Sequence, residues 1–349
     1  MLQILQLDAE LEHLKPGQRL DLSLGVTRLC AGLRALTTLH VTFDIVDQDW
    51  RQFVSTLSRL PALREIRLFT SSTTLSILAR DAHQAPLNGF NRLQLLDVSA
   101  PPYLCVQALQ SFGANISSFA WRCPRITDEN TLQHTLVVVA SSTPLTSTAY
   151  PTRCPSLSTA SINSLFMPHG IPTPVVAMSS LTDVRIIIEE TRPTISAWYS
   201  LQSLFSAHAM RVFRVCLPYP LYYASEDLEA MFQAWPEIRH LSLNPRPSKA
   251  LSSSRLPPLG VLSSVATSAP CLEIFEANLD GAVLSPKPLR RWETNVMRLD
   301  LGFSVGPESV AELSAVRTYV HCLFKDVHLV DKDCSAWVQR LVRTETMVL

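Results

Sequence analysis

Gly302-Phe303-Ser304-Val305-Gly306 matches a catalytic signature in residue type and spacing, the G-x-S-x-G of a nucleophile elbow. The chemistry would be acyl transfer: a tight turn from strand to helix exposes the serine hydroxyl, and a histidine with its acid arrives later in the chain. An apolar strand pattern (Leu299 to Leu301) precedes the turn and a helical pattern follows it, so the local context fits. The partners do not. About 45 residues follow Ser304, too few for the remaining strands of a hydrolase. His321 and His328 fall in or just after the next helix, and no acid-then-histidine order of workable length results. Ser304 is therefore read as part of a glycine-lined turn, with no catalytic residue assigned and no enzyme expected.

Metal and cofactor chemistry finds no better support. His321, Cys322, His328 and Cys334 gather near the C-terminus, but their spacing matches no zinc pattern. Cys322 is expected inside a helix and His328 on an exposed strand face; Cys154 and Cys271, beside strand anchors, are expected to serve packing. With 10 glycines in the chain, neither a G-x-G-x-x-G turn nor a phosphate-binding loop occurs. No metal or cofactor is expected. The eight cysteines (30, 105, 123, 154, 216, 271, 322, 334) include no CxxC pair, which suits reduced thiols in a cytoplasmic or nuclear protein better than a disulfide framework. One glycosylation sequon, at Asn115, has Ile116 in a core-like position and is read as chance.

What would position any functional side chain is a repeat. The pattern LxxLxL, with other apolar residues allowed at its anchors, begins at Leu2 (Leu5, Leu7), Leu36 (Leu39, Val41), Leu63 (Ile66, Leu68) and Leu93 (Leu96, Val98). Weaker copies start at Ile116 (Phe119, Trp121) and Leu157 (Ala160, Ile162). The pattern continues at Leu181 (Val184, Ile186), Met210 (Phe213, Val215), Ile238 (Leu241, Leu243) and Leu272 (Phe275, Ala277), and ends at Val296 (Leu299, Leu301) and Phe324 (Val327, Leu329). The spacing averages about 29 residues, which is leucine-rich-repeat length with a real helix in each unit. Between the strands, Trp50, Phe53, Val54, Leu57 and Leu60 fall at helical spacing. So do Leu228, Met231, Phe232 and Trp235, with Ser225 as N-cap, and Leu313, Val316, Val320, Leu323 and Phe324, with Gly306-Pro307-Glu308 as the helix start. Pro61, Pro155, Pro236 and Pro270 stand two residues before an anchor, where proline stops a helix and turns the chain back.

Composition follows from that architecture. Of 349 residues 47% are hydrophobic and 17% charged, with 52 Leu, 37 Ser and 24 Pro; a typical domain has roughly 25% charged residues. Thirty basic and thirty acidic side chains cancel, which argues against nucleic acid or an anionic membrane as the main partner. The start lacks a basic segment and its apolar stretch is broken by Gln3, Gln6 and Asp8, so it does not read as a signal peptide. No apolar run nears the roughly 18 residues of a spanning helix. The expected fold class is α/β, a leucine-rich-repeat solenoid over residues 1–349 with a parallel sheet on the concave face and helices on the convex face. It divides into N-terminal repeats (1–140), an irregular Ser/Thr/Pro-rich segment (141–180) and C-terminal repeats (181–349), with a further long loop over 244–258.

Side chains alternate along a strand, so the residue between the second and third anchors should face out. That row reads Gln6, His40, Arg67, Asp97, Ala120, Ser161, Arg185, Arg214, Ser242, Glu276, Asp300 and His328, with Arg122, Asn163, Asn244 and Asn278 in the next row. A basic middle and an acidic end, including Asp326, result. The candidate partner-binding residues are Arg67, Arg122, Arg185, Arg214, His240, Glu276 and Asp300.

The stretch Leu228 to Leu279, with AWPEIRHLSLNPRP (Ala234 to Pro247) and LGVLSSVATSAPCLEIFEANLD (Leu259 to Asp280), and the earlier LSRLPALREIRL (Leu57 to Leu68), resembles the leucine-rich-repeat portion of F-box proteins of mushroom-forming fungi. The resemblance implies a ribonuclease-inhibitor-like horseshoe serving as substrate receptor of a Skp–cullin–F-box ubiquitin ligase. An F-box begins with a Leu-Pro motif ahead of the repeats, whereas the first Leu-Pro here is Leu60-Pro61, within a repeat; no adaptor-binding residue carries over. The expected partners are proteins on the concave face, with the Skp adaptor if an F-box stands upstream. The alternative is a box-less scaffold unrelated to ubiquitin.

Overall fold

Within each unit, one backbone carbonyl placed just after the first anchor of an LxxLxL copy recurrently ties a strand to the next. In the computed structural model Gln3 O accepts from Thr37 N and Thr38 N, Thr37 O from Arg64 N and Glu65 N, Arg64 O from Gln94 N and Leu95 N, and Gln94 O from Ser117 N and Ser118 N, all within 2.8–3.1 Å. The same device continues from Thr182 to Arg211, Arg239, Glu273 and Met297. A carbonyl has two lone pairs, so a single oxygen meets two donors that the next strand would otherwise leave unpaired.

The structure describes residues 3–8, 25–42, 47–69, 90, 92–102, 105, 108–109, 116–126, 131–133, 135–136, 181–191, 197–249, 256–281, 294–307, 309–324, 327–330 and 334–343. The copy at Leu157, the segment 141–180, Cys154, Ser161, Asn163 and Asp326 lie outside them. The chain forms two compact units, Met1–Pro124 with Asn130–Leu181, and Arg125–Glu129 with Thr182–Leu349. The first carries strands β1 (Ile4–Asp8), β2 (Thr38–Thr42), β3 (Glu65–Phe69), β4 (Leu95–Ser99) and all but the last two residues of β5 (Ser118–Ile126). The second carries β6 (Asp183–Thr191), β7 (Val212–Cys216), β8 (His240–Leu243), β9 (Ile274–Ala277), β10 (Arg298–Asp300) and β11 (His328–Leu329). Within each unit the strands are parallel and neighbour one another in chain order.

Register matches the second anchors. Leu5, Leu39, Ile66, Leu96 and Phe119 are mutual partners in the first unit, and Val184, Phe213, Leu241, Phe275 and Leu299 in the second. Apart from the half-buried Leu5, all are buried. The last copy departs from expectation: Leu329, not Val327, pairs with Leu299. The strand has slid by two residues, which keeps the same side chains inward and so leaves no trace in an apolar pattern.

Helices run between the strands and bury one stripe each. Helix α1 (Asp47–Ser58) buries Phe53, Val54 and Leu57; the side chain of Trp50 lies outside the described residues. In the second unit α2 (Ala197–Leu201) leads into a 3-10 turn (Gln202–Ser206), followed by α3 (Ser225–Ala234), α4 (Val261–Ser268), α5 (Val310–Leu323) and α6 (Ala336–Arg343). From α3 on, each of these helices packs against the next, and α3 also meets the 3-10 turn. Trp235, closing α3, sits 5.0 Å from the ring of Phe213 on β7 and 5.4 Å from Phe205, and its indole N–H donates to Leu204 O at 3.2 Å. Such a Trp combines large apolar burial with a satisfied polar edge.

Two helix starts differ from expectation. Ser225 is the first helical residue rather than the cap; Ala224 holds the cap position and its N–H donates to the Asp227 carboxylate at 2.8 Å, so an acid supplies what a hydroxyl would have done. Helix α5 is capped by Ser309, not by Gly306-Pro307-Glu308: Ser309 Oγ accepts from Glu312 N and the Glu312 carboxylate accepts from Ser309 N. Among the described residues no helix is long and apolar enough to cross a membrane.

Candidate interaction surface

The parallel register turns residues far apart in sequence into rows. In the first unit Gln6, His40, Arg67, Asp97 and Ala120 are direct partners, and in the second Arg185, Arg214, Ser242, Glu276 and Asp300 are. Two residues earlier on the same face run Asp183, Val212, His240, Ile274, Arg298 and His328. Each unit thus presents its own polar face. In the first, Arg67 is engaged by Glu65 of its own strand at 2.6 Å, and Arg122 is exposed.

The second unit concentrates the charge. Arg214 Nη2 lies 3.0 Å from His240 Nδ1. A guanidinium only donates, so Nδ1 accepts and the ring proton sits on Nε2, which faces Glu276 Oε2 at 3.5 Å. Glu276 also faces Arg298, at 3.8 Å, and so completes a relay from β7 to β10. Burial pushes the Glu276 pKa up; the close approach of His240 and Ser242 and the charge of Arg298 outweigh it and hold the carboxyl at about 2. Asp183 behaves in the opposite sense: burial raises its pKa, and the charges of Arg185 and Arg214 only partly oppose this. Cys216 on β7 is exposed, yet desolvation and Glu276 raise its pKa against the pull of Arg185, Arg214 and Arg246, which leaves it a weak nucleophile.

Asp300 does not belong to the exposed row where it was expected. It is fully buried, its carboxylate paired with Arg246 at 2.6 Å and accepting from Gly302 N at 2.9 Å. Arg246 arrives from the loop after β8, across β9, and that loop is itself fixed by Asn244. Asn244 is buried at φ 52°, accepts from Leu217 N at 3.0 Å and donates to Tyr219 O at 2.6 Å. Asn278 is also buried rather than displayed. His328 is exposed, as expected, but faces Arg298 rather than Asp300.

Ser304 has a structural occupation. Its hydroxyl is buried, accepts from Leu279 N at 2.7 Å and donates to Leu301 O. Gly302, at φ 50°, stands where a Cβ would meet Pro245 O, and a Cβ on Gly306 would overlap the Trp337 indole. Trp337 Nε1 in turn donates to Ser304 O at 2.6 Å. Each element of the G-x-S-x-G match is thus accounted for by close packing, and the hydroxyl is not presented to a substrate. Cys322 lies on α5 as expected, but Cys271 is exposed instead of packed. Among the described residues no three His, Cys, Asp or Glu side chains stand close enough to hold a metal ion.

Of the candidate partner-binding residues the register therefore joins Arg185, Arg214, His240 and Glu276, places Arg67 and Arg122 in the first unit, and withdraws Asp300 to the interior. Asp183 and Arg298 were overlooked although period-2 spacing from Arg185 and Asp300 marks them as facing the same side. Arg246 had no signal, since its partner lies 54 residues away. No protein-family model matches the chain, and no curated protein sequence matches it.

Proposed function

We propose that the chain is a leucine-rich-repeat solenoid that acts as a non-enzymatic protein-interaction module, the substrate-recognition part of a Skp–cullin–F-box type ubiquitin-ligase receptor. The observation that carries the reading is the charged row built by register: five consecutive strands of the second unit bring Arg185, Arg214, His240, Glu276 and Arg298 onto one face from more than a hundred residues of chain. Stacked parallel repeats present such extended surfaces to protein partners. Three further facts support it: the anchors recur in phase with the strands, the doubled carbonyl acceptor recurs with them, and the serine that resembled a nucleophile is occupied by packing.

Two measurements test the reading. Joint reversal of Arg185 and Arg214 to Glu is expected to remove partners captured from native cells by the tagged protein; an unchanged set of partners rejects the surface. Co-purification of the Skp adaptor with the protein is expected for a ligase receptor. Its absence, with the captured partners retained, leaves an interaction scaffold outside the ubiquitin system.

A further inference from the structure

Most charges near this face of the second unit are already matched. Arg211 pairs with Glu237 at 3.0 Å, Arg239 with Glu273 at 3.3 Å, Arg298 with Glu276 at 3.8 Å and Arg246 with Asp300 at 2.6 Å. Arg185 and Arg214 are different. They are direct partners on β6 and β7, so their backbones stand about 5 Å apart. Neither forms an ion pair among the described residues. Arg185 is exposed, and Arg214 spends one guanidinium nitrogen on the neutral nitrogen of His240 while its buried Nε has no acceptor. A guanidinium satisfied by an imidazole instead of a carboxylate, beside a second one in ion-pair contact with no carboxylate among the described residues, is an arrangement with positive charge and donor capacity to spare.

We infer that the Arg185–Arg214 pair is the docking position for an acidic, extended peptide segment of a protein partner, with Glu or Asp side chains as the groups recognised. The inference rests on the interaction-module reading and specifies its partner's chemistry. Two forks on adjacent strands can converge on carboxylates that a single point charge would hold less selectively. His240 orients Arg214 through Nδ1, and Glu276 holds His240 from the far side, so the fork is aimed by a chain of contacts rather than left to rotate. Asp183, on the same face, is the competing anion. Burial raises its pKa, and it makes no ion pair among the described residues. Ser242, next in the row, adds no competing charge.

The experiment measures fluorescence anisotropy of a short fluorescein-labelled peptide alternating Glu and Gly, against the same peptide with Gln in place of Glu, on the full chain. The acidic peptide is expected to bind more tightly than its Gln counterpart, and binding should weaken as salt rises. The double variant Arg185→Gln/Arg214→Gln is expected to reduce its affinity about tenfold or more. Arg211→Gln/Arg239→Gln removes as much charge from arginines that are already paired, and is expected to change affinity less than about twofold. Arg214→Lys keeps the charge and loses the fork. With circular dichroism unchanged, its intermediate affinity separates recognition from misfolding. Equal binding of the two peptides, or equal weakening in the two double variants, overturns the inference. If that happens while Arg185→Glu/Arg214→Glu still abolishes partner capture, the interaction module stands and only its acidic partner is wrong.

Discussion

Glu276 and Ser304 show how a side chain's environment decides what it can do. The Glu276 carboxyl, held at about 2 against an ordinary 4.5, favours the folded state while ionised. That stability is fully present above pH 4.5 and is lost as the pH falls through about 2. Acid unfolding followed by tryptophan fluorescence should therefore show a shallower fall of stability between those values for Glu276→Gln than for the parent chain. Ser304, with its hydroxyl bonded to Leu279 N and Leu301 O, should behave as a structural residue. Ser304→Ala strands a buried N–H and is expected to cost about 1–3 kcal/mol in urea unfolding. A fluorophosphonate probe is expected to leave Ser304 unlabelled, and labelling would reopen the hydrolase reading. The sequence alone exposed the G-x-S-x-G match but could not tell an offered hydroxyl from a sequestered one. The partners that sequester it are backbone groups, which leave no mark in residue type.

At the level of elements, the legible part was whatever depends on short-range periodicity. Anchors such as Leu39, Ile66, Phe213 and Leu241 were readable because burial of alternate residues imposes period 2, and Pro61, Pro236 and Pro270 marked the turns ahead of them. Caps were less legible: an acid at Asp227 can serve as well as a hydroxyl, so Ser225 drew attention that belonged one residue earlier. The slide of β11 was hidden because a two-residue shift preserves the inward face. The burial of Asp300 was hidden because it depends on Arg246, delivered by a loop. Asn244 governs that loop through its positive φ and two side-chain bonds. Asn244→Gly should lose the bonds but keep the backbone angle, and Asn244→Ala should lose both. Each is expected to destabilise by about 1–3 kcal/mol, with alanine worse by about 1 kcal/mol in thermal or urea unfolding.

At the scale of the whole molecule, an inner strand of either unit leans mainly on its two neighbours in that unit, so damage should spread locally. Leu241 is fully buried in β8, between Phe213 and Phe275. Leu241→Ala should cost about 2–5 kcal/mol. Hydrogen exchange should show lost protection in β7 and β9 before β11, as expected where stability is summed over adjacent units. Uniform loss across the second unit would instead indicate one cooperative block. The doubled carbonyl acceptor carries a different consequence. Thr37-Thr38, Arg64-Glu65, Gln94-Leu95, Ser117-Ser118, Arg211-Val212, Arg239-His240, Glu273-Ile274 and Met297-Arg298 must each donate two successive N–H groups, although several of these side chains are in open solvent. None of the 24 prolines occupies one of these positions. Descendants of this chain can therefore change almost any property of those surface residues except the backbone hydrogen itself, and imino acids are barred there at regular intervals by the main chain alone.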